Sequence, residues 1–163
     1  MAYRVCFVCT GNICRSPMAE SVFRARVVEA GLDGTVEVDS AGTHGWHEGD
    51  GADPRAVAVL EENGYAADHT ARQFAPSWFA RLDLVVALDT GHLETLRRLA
   101  PTPQDTAKVR LLRSYDPGAG DDLDVPDPYY GGADGFVACL EMVEAASTGL
   151  LTAVREQTEG PAA

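Results

Sequence analysis

A chain of 163 residues with 45% hydrophobic and 23% charged residues has the size and balance of one ordinary globular domain, which excludes fibrous and disordered classes. Its formal net charge of −12 argues against nucleic acid or an anionic membrane as partner, because both are bound by basic surfaces that release counterions. An anionic substrate would have to be held by a local device acting against that global field.

Tyr3 to Val8 is a continuous apolar and β-branched run, expected as a strand buried on both faces in a parallel sheet. After the turn VCTGNICRSP (residues 8–17), a helix is expected from Pro17, with Met18, Val22, Ala25 and Val28 inward and Gly31 as its stop. Thr35 to Ser40 alternates as a second strand. Asp53-Pro54 opens a second helix, with Val57 and Leu60 on one side and Gly64 at its end. Leu82 to Leu88 reads as a third strand, followed through Asp89-Thr90-Gly91 by a helix carrying Leu93, Leu96 and Ala100, then by a fourth strand from Lys108 to Leu112. Ser114 to Gly135, rich in Gly, Pro and Asp, reads as a long loop. The final helix places Phe136, Leu140, Val143, Leu150 and Val154 on one face, and residues 155–163 read as a frayed tail.

Strands alternating with helices predict an α/β fold over residues 1–163. It is a single-domain three-layer sandwich with a central parallel sheet of about four strands, Rossmann- or flavodoxin-like. Ligands bind beyond the carboxyl ends of such strands, which makes the turn after the first strand a candidate phosphate-binding loop. The N-terminus MAYRVCFVCT lacks the charge and cleavage pattern of a leader, and no run is expected to be long enough to cross a bilayer. Cysteines at 6, 9, 14 and 139 do not form a disulfide framework, so a reducing cytoplasm is expected.

Cys6-Phe7-Val8-Cys9 matches a C-x-x-C pattern, but on a strand an offset of three sends the two thiols to opposite faces. The loop lacks the lysine of a nucleoside-triphosphate site. What remains is Cys9, five residues, Arg15 and Ser16. Between a strand end and a helix start, the amides of Thr10, Gly11, Asn12, Ile13 and Cys14 can form a concave nest for a tetrahedral anion, and Arg15 adds a planar fork for two of its oxygens. The same dipoles favour a thiolate at Cys9, to which Ser16 can donate, and Asn12 tolerates a left-handed backbone angle. Cys6 and Cys139 read as core packing. His44, His47 and His92 read as structural, and no histidine spacing suggests a metal.

VCTGNICRSP, DSAGT from Asp39, DHTARQ from Asp68 and DPYYG from Asp127 together resemble the low-molecular-weight protein tyrosine phosphatase family, in its actinobacterial form, nearly end to end. The resemblance implies a cysteinyl-phosphate formed on Cys9, with Arg15 and the loop amides on the equatorial oxygens and Asp127 as general acid, then base. Pro128, Tyr129 and Tyr130 are expected to desolvate Asp127. It also implies a pocket walled by Trp46, Tyr129 and Tyr130, and a supporting network of Asn12, Ser16, Ser40 and His69. Cys14 would match a second loop cysteine that traps oxidised Cys9. Implied partners are phosphotyrosine-containing proteins and inorganic phosphate or other oxyanions, acting on a monomer without cofactor or metal. Asp121, Asp122 and Asp124 read as a solvated loop, with a weaker preference for basic substrates.

Three rivals remain at this point. An arsenate reductase of the same fold needs further cysteines, and none lies between Cys14 and Cys139. A protein arginine phosphatase tends to carry a small polar residue where Ile13 stands. A non-catalytic phosphotyrosine-binding module has no use for Cys9 and Asp127 together.

Overall fold

The computed structural model describes residues 2–159. Strand β1 (Tyr3–Cys9) pairs in parallel with β2 (Val36–Gly42) on one side and with β3 (Leu84–Ala87) on the other, and β3 pairs in parallel with β4 (Val109–Leu111). The order β2-β1-β3-β4 reverses direction at β1, so the crevice beyond Cys9 is a topological switch point of a doubly wound sheet. Helices α1 (Arg15–Glu29), α2 (Pro54–Glu62), α3 (Thr90–Leu99), α4 (Pro103–Ala107) and α5 (Ala133–Glu159), with two short 3-10 helices at Pro76–Ala80 and Leu112–Tyr115, complete the described elements.

Alternation along β1 divides the core. Val5, Phe7 and Cys9 join the cluster under α1, α2 and α5, whereas Cys6 and Val8 join the cluster with Phe79, Leu82 and Leu96 on the opposite face. Cys6 and Cys9 are therefore separated by the sheet, as their spacing requires. The expected stops of α1 and α2 are glycines with positive φ, Gly31 at 72° and Gly64 at 81°, and at each a pair of hydrogen bonds closes back onto the helix. Asp53 caps α2 through the Arg55 N–H, and Asp89 caps α3 through the His92 N–H.

Several expectations are corrected. Helix α1 starts at Arg15, not Pro17, which puts Arg15 and Ser16 on its first turn. Its buried face runs through Met18, Ala19, Val22, Phe23 and Val27, and Val28, rotated past the edge of that stripe, is 55% exposed. The short α4 was not foreseen, although Thr102 caps it and Pro103 opens it. Helix α5 continues to Glu159, so residues 155–159 are not a frayed tail, while residues 160–163 lie outside the described ones. Buried Val154 and an Arg155–Glu159 pair at 3.3 Å support that last turn. By length and composition alone α5 could also cross a bilayer, contrary to the expectation of no such run. Here its apolar residues Phe136, Leu140, Val143, Leu150 and Val154 are buried in the core, with α1 packed alongside.

Candidate active site

The loop from Cys9 to Ser16 is fixed from behind by one asparagine. Asn12 takes the left-handed conformation expected of it, with φ 58°, and is fully buried. Its amide donates to Ser16 Oγ at 2.8 Å and to Ser40 Oγ at 3.0 Å, and its side-chain oxygen accepts the Arg72 N–H at 3.0 Å. His69 Nε2 donates to the Asn12 carbonyl at 2.6 Å. Burial, against that hydrogen bond, pushes His69 below its ordinary pKa and keeps it neutral. Ser40 in turn donates to Glu20 at 2.5 Å. The expected network of Asn12, Ser16, Ser40 and His69 is thus brought together, and Glu20 and Arg72 join it.

In front of that network Cys9 Sγ lies 2.9 Å from Ser16 Oγ at the floor of a cavity, with the residue only 3% exposed. Among the described residues no carbonyl or side chain takes the N–H groups of Thr10 to Cys14, and no side chain caps α1. Free amides, the positive end of a helix and a buried guanidinium therefore converge on one spot, which suits a bound oxyanion.

Arg15 is 3% exposed and is held by residues far along the chain. Nη1 donates to Asp89 Oδ2 at 2.8 Å and to the Val125 carbonyl at 2.9 Å, and Nη2 lies 3.4 Å from His92 Nε2 and 3.7 Å from Asp127 Oδ2. Burial alone would raise the Asp89 carboxyl, but the His92 amide and the Arg15 guanidinium outweigh it and hold it below its ordinary value. His92 Nε2 is also 2.8 Å from Thr10 Oγ1. Burial, followed by the Arg15 charge, lowers His92 to about 4, so it is a neutral acceptor beneath the loop. Asp89 and His92 were missed as site residues, and His92 is corrected from a structural histidine to a neighbour of the site. The available signal was position: Asp89 follows β3 by two residues, at the carboxyl end where ligands bind.

A cavity of about 180 Å³ is lined by Cys9, Thr10, Gly11, Ile13, Cys14, Arg15, Trp46, His47, Asp127, Tyr129 and Tyr130. Every residue expected in the loop and walls is brought to it except Asn12, which stands behind; His47 was not foreseen there. Trp46 is 71% exposed and stacks on His44 with ring centroids 4.2 Å apart, and Tyr129 meets Tyr130 edge to face at 5.0 Å. The Asp127 side chain is 40% exposed, so its aromatic neighbours desolvate it only in part. Burial, with the charges of Asp53, Cys9 and Asp127, pushes the Cys14 thiol well above its ordinary pKa, and burial pushes Cys139 up to about 12. Of the acidic run, Asp124 caps the Thr90 N–H at 2.8 Å and Asp122 lies 3.6 Å from Arg113, so both serve the fold.

A family model described as low molecular weight phosphotyrosine protein phosphatase matches residues 4–160. The chain is 78% identical to a low molecular weight protein-tyrosine-phosphatase of Streptomyces coelicolor, covering 100% of both chains. The crystal structure of a protein tyrosine phosphatase from Entamoeba histolytica superposes with a TM-score of 0.91 at 34% identity, covering 96% of this chain and 99% of that one. That of the Drosophila arginine phosphatase DARP superposes with a TM-score of 0.86, also at 34% identity, covering 93% and 97%.

Proposed function

The chain belongs to the low molecular weight protein tyrosine phosphatase family and is a hydrolase acting on phosphotyrosine in proteins, and from that premise we propose how its residues divide the chemistry. The Cys9 sulfur attacks phosphorus in line while Arg15 and the amides of residues 10–15 hold the equatorial oxygens. A sulfur–phosphorus bond forms as the phosphorus–oxygen bond to the phenol breaks, and Asp127, carrying a proton at this stage, gives it to the leaving oxygen. Asp127 then takes a proton from water as that water attacks phosphorus, releasing phosphate and the Cys9 thiolate, to which Ser16 donates.

The observation that carries this assignment is the convergence of Cys9, Arg15 and Asp127 on one cavity, with the buried Ser16 hydroxyl 2.9 Å behind the Cys9 sulfur. Ile13, Trp46, Tyr129 and Tyr130 line the same cavity and support an aromatic phosphate as substrate over a phosphoarginine. A nearly buried sulfur at the floor suits the long phosphotyrosine and leaves a phosphoserine short of it. Cys14 lines the cavity as well, and a sulfenic acid on Cys9 would condense with its thiol, releasing water and forming a disulfide. Four free thiols, all buried, support work in a reducing compartment such as the cytoplasm.

Acid quenching during turnover of an aryl phosphate tests the covalent step. Mass spectrometry is expected to find a phosphate adduct on the peptide carrying Cys9, and none in Cys9→Ser. An active protein whose quenched peptides never carry phosphate, even when the second step is slowed by Asp127→Ala, would overturn the cysteinyl-phosphate route.

A further inference from the structure

The loop that carries Asp127 is anchored ahead of it, where the Val125 N–H donates to the Leu88 carbonyl and the Val125 carbonyl accepts from Arg15, each at 2.9 Å, but the turn after Asp127 has little to hold it. Asp127 Oδ1 accepts the Tyr129 N–H at 3.1 Å, and Gly131 donates to the Pro128 carbonyl at 3.1 Å, but both bonds are internal to the turn. Among the described residues, the first turn of α5 reaches this segment through the Gly135 N–H, which donates to the Gly132 carbonyl at 3.1 Å, and every other hydrogen bond from residues 128–132 to another element comes from one side chain. Arg55, on the first turn of α2, donates Nη2 to the Tyr129 carbonyl and Nη1 to the Gly131 carbonyl, each at 3.0 Å.

Arg55 is itself anchored to the phosphate loop. Its Nε and Nη2 grip the Asp53 carboxylate at 3.1 and 3.0 Å, and the Asp53 N–H donates to the Ile13 carbonyl at 2.8 Å. The guanidinium lies 4.6 Å from the centroid of the Phe136 ring and 5.5 Å from that of Tyr129. Three of its nitrogens are therefore committed in one plane, and an unbroken chain of contacts runs from the nucleophile's loop to the two carbonyls just after Asp127. A lysine could not reproduce that fork, although it could reach one carbonyl.

We propose that Arg55 is a positioning residue for the acid step, setting the angle at which the Asp127 carboxyl meets the leaving oxygen, an inference resting on the assignment of Asp127 as general acid. The internal bond from the Tyr129 N–H fixes one carboxyl oxygen relative to the turn, so fixing the Tyr129 carbonyl aims the other oxygen into the cavity. Arg55 does not line the cavity and so stands apart from the reacting atoms. Its loss falls on the proton transfer and leaves oxyanion binding intact.

The test compares kcat/KM on p-nitrophenyl phosphate, whose phenolate leaves readily, and on phenyl phosphate, whose leaving group needs a proton. Arg55→Met, which keeps the stem over Phe136, is expected to lose about tenfold on phenyl phosphate and under about twofold on the nitrophenyl ester, a fraction of a full general-acid contribution. Arg55→Lys is expected to recover part of that loss, and inhibition by inorganic phosphate to be unchanged in both. In the Asp127→Asn background Arg55→Met is expected to change neither rate. Equal losses on the two esters, or a loss that persists in full without the Asp127 carboxyl, would reduce Arg55 to a support of the fold; Arg55→Lys decides the same point if the methionine variant does not fold. Should Asp127→Asn alone lose no more on phenyl phosphate than on the nitrophenyl ester, the acid assignment itself falls and takes this role with it.

Discussion

Arg15 and Asp127 stand 3.7 Å apart at the same cavity, yet the Arg15 side chain is 4% exposed and the Asp127 side chain 40%. The phosphate loop is packed from behind by Asn12, below by Asp89 and His92, and from one side by the end of β2. The acid loop is a short turn at the surface, tied down by Arg55. A group that must hold a multiply charged oxyanion in one geometry is built into the core, where its desolvation is offset by a fixed set of partners. A group that must gain and lose a proton in each cycle keeps contact with solvent.

Removing each residue should expose that difference most strongly. Arg15→Ala leaves Asp89 without its cation and the Val125 carbonyl without its donor, so it is expected to cost about 3–5 kcal/mol of stability as well as nearly all activity. Asp127→Asn is expected to lower kcat/KM by about 10²–10³ on a poor leaving group while shifting stability by less than about 0.5 kcal/mol. Urea denaturation beside kinetics checks both. Equal stability losses would mean that the acid loop is as much a part of the core as the phosphate loop.

The same contrast explains what could be read from the chain. The nucleophile, the nest, the guanidinium and the Ser16 hydroxyl are contiguous, and Asn12 φ, the Cys6–Cys9 separation and the parallel sheet all follow from local chemistry and strand period. Asp127 is different, because an Asp-Pro in a Gly-rich segment is by composition a surface turn, and only its likeness to a family motif marked it. Asp89 and His92 lie 74 and 77 residues from Arg15 in the sequence, and Asp89-Thr90-Gly91 advertises nothing beyond a helix start. Arg55 was invisible for the same reason: its carbonyl partners are 74 and 76 residues away and carry no side-chain signal.

Two glycines sharpen the comparison at smaller amplitude. A Cβ on Gly42, at the end of β2, would sit 2.7 Å from the Thr10 carbonyl, 3.0 Å from that of His44 and 3.2 Å from the Asn12 nitrogen, all of them backbone. Gly42→Ala should therefore push on the phosphate loop, costing about 1–3 kcal/mol and displacing the loop enough to lower kcat/KM about tenfold. A Cβ on Gly132, in the acid loop, meets nothing within 4 Å. Gly132→Ala is expected to stay within about 0.5 kcal/mol of the parent protein and to keep its rate. A harmful Gly132→Ala, or a harmless Gly42→Ala, would break the distinction between a packed loop and an open one.

The last effect is one of pH and concerns His92, which lies between the two regions. Arg15, Asp89, Asp124, Asp127 and Thr10 face its ring; burial and then Arg15 lower its pKa to about 4, against the pull of Asp89, Asp127 and Asp124. The folded protein thus refuses a proton that the unfolded chain accepts below 6.5, and stability contributed by this group falls as pH drops from 6.5 to about 4. His92→Gln keeps an amide within reach of Thr10 and Arg15 but cannot titrate. It is expected to be less stable than the parent near neutrality, with the gap narrowing on acidification by up to about 1.4 kcal/mol per pH unit. His69, lowered likewise by burial, is common to both proteins and cancels in the difference. Chemical denaturation at the two ends of the window measures that gap. If it widens on acidification, the folded state binds the proton, and His92 is an imidazolium paired with Asp89 instead of a neutral acceptor under Arg15.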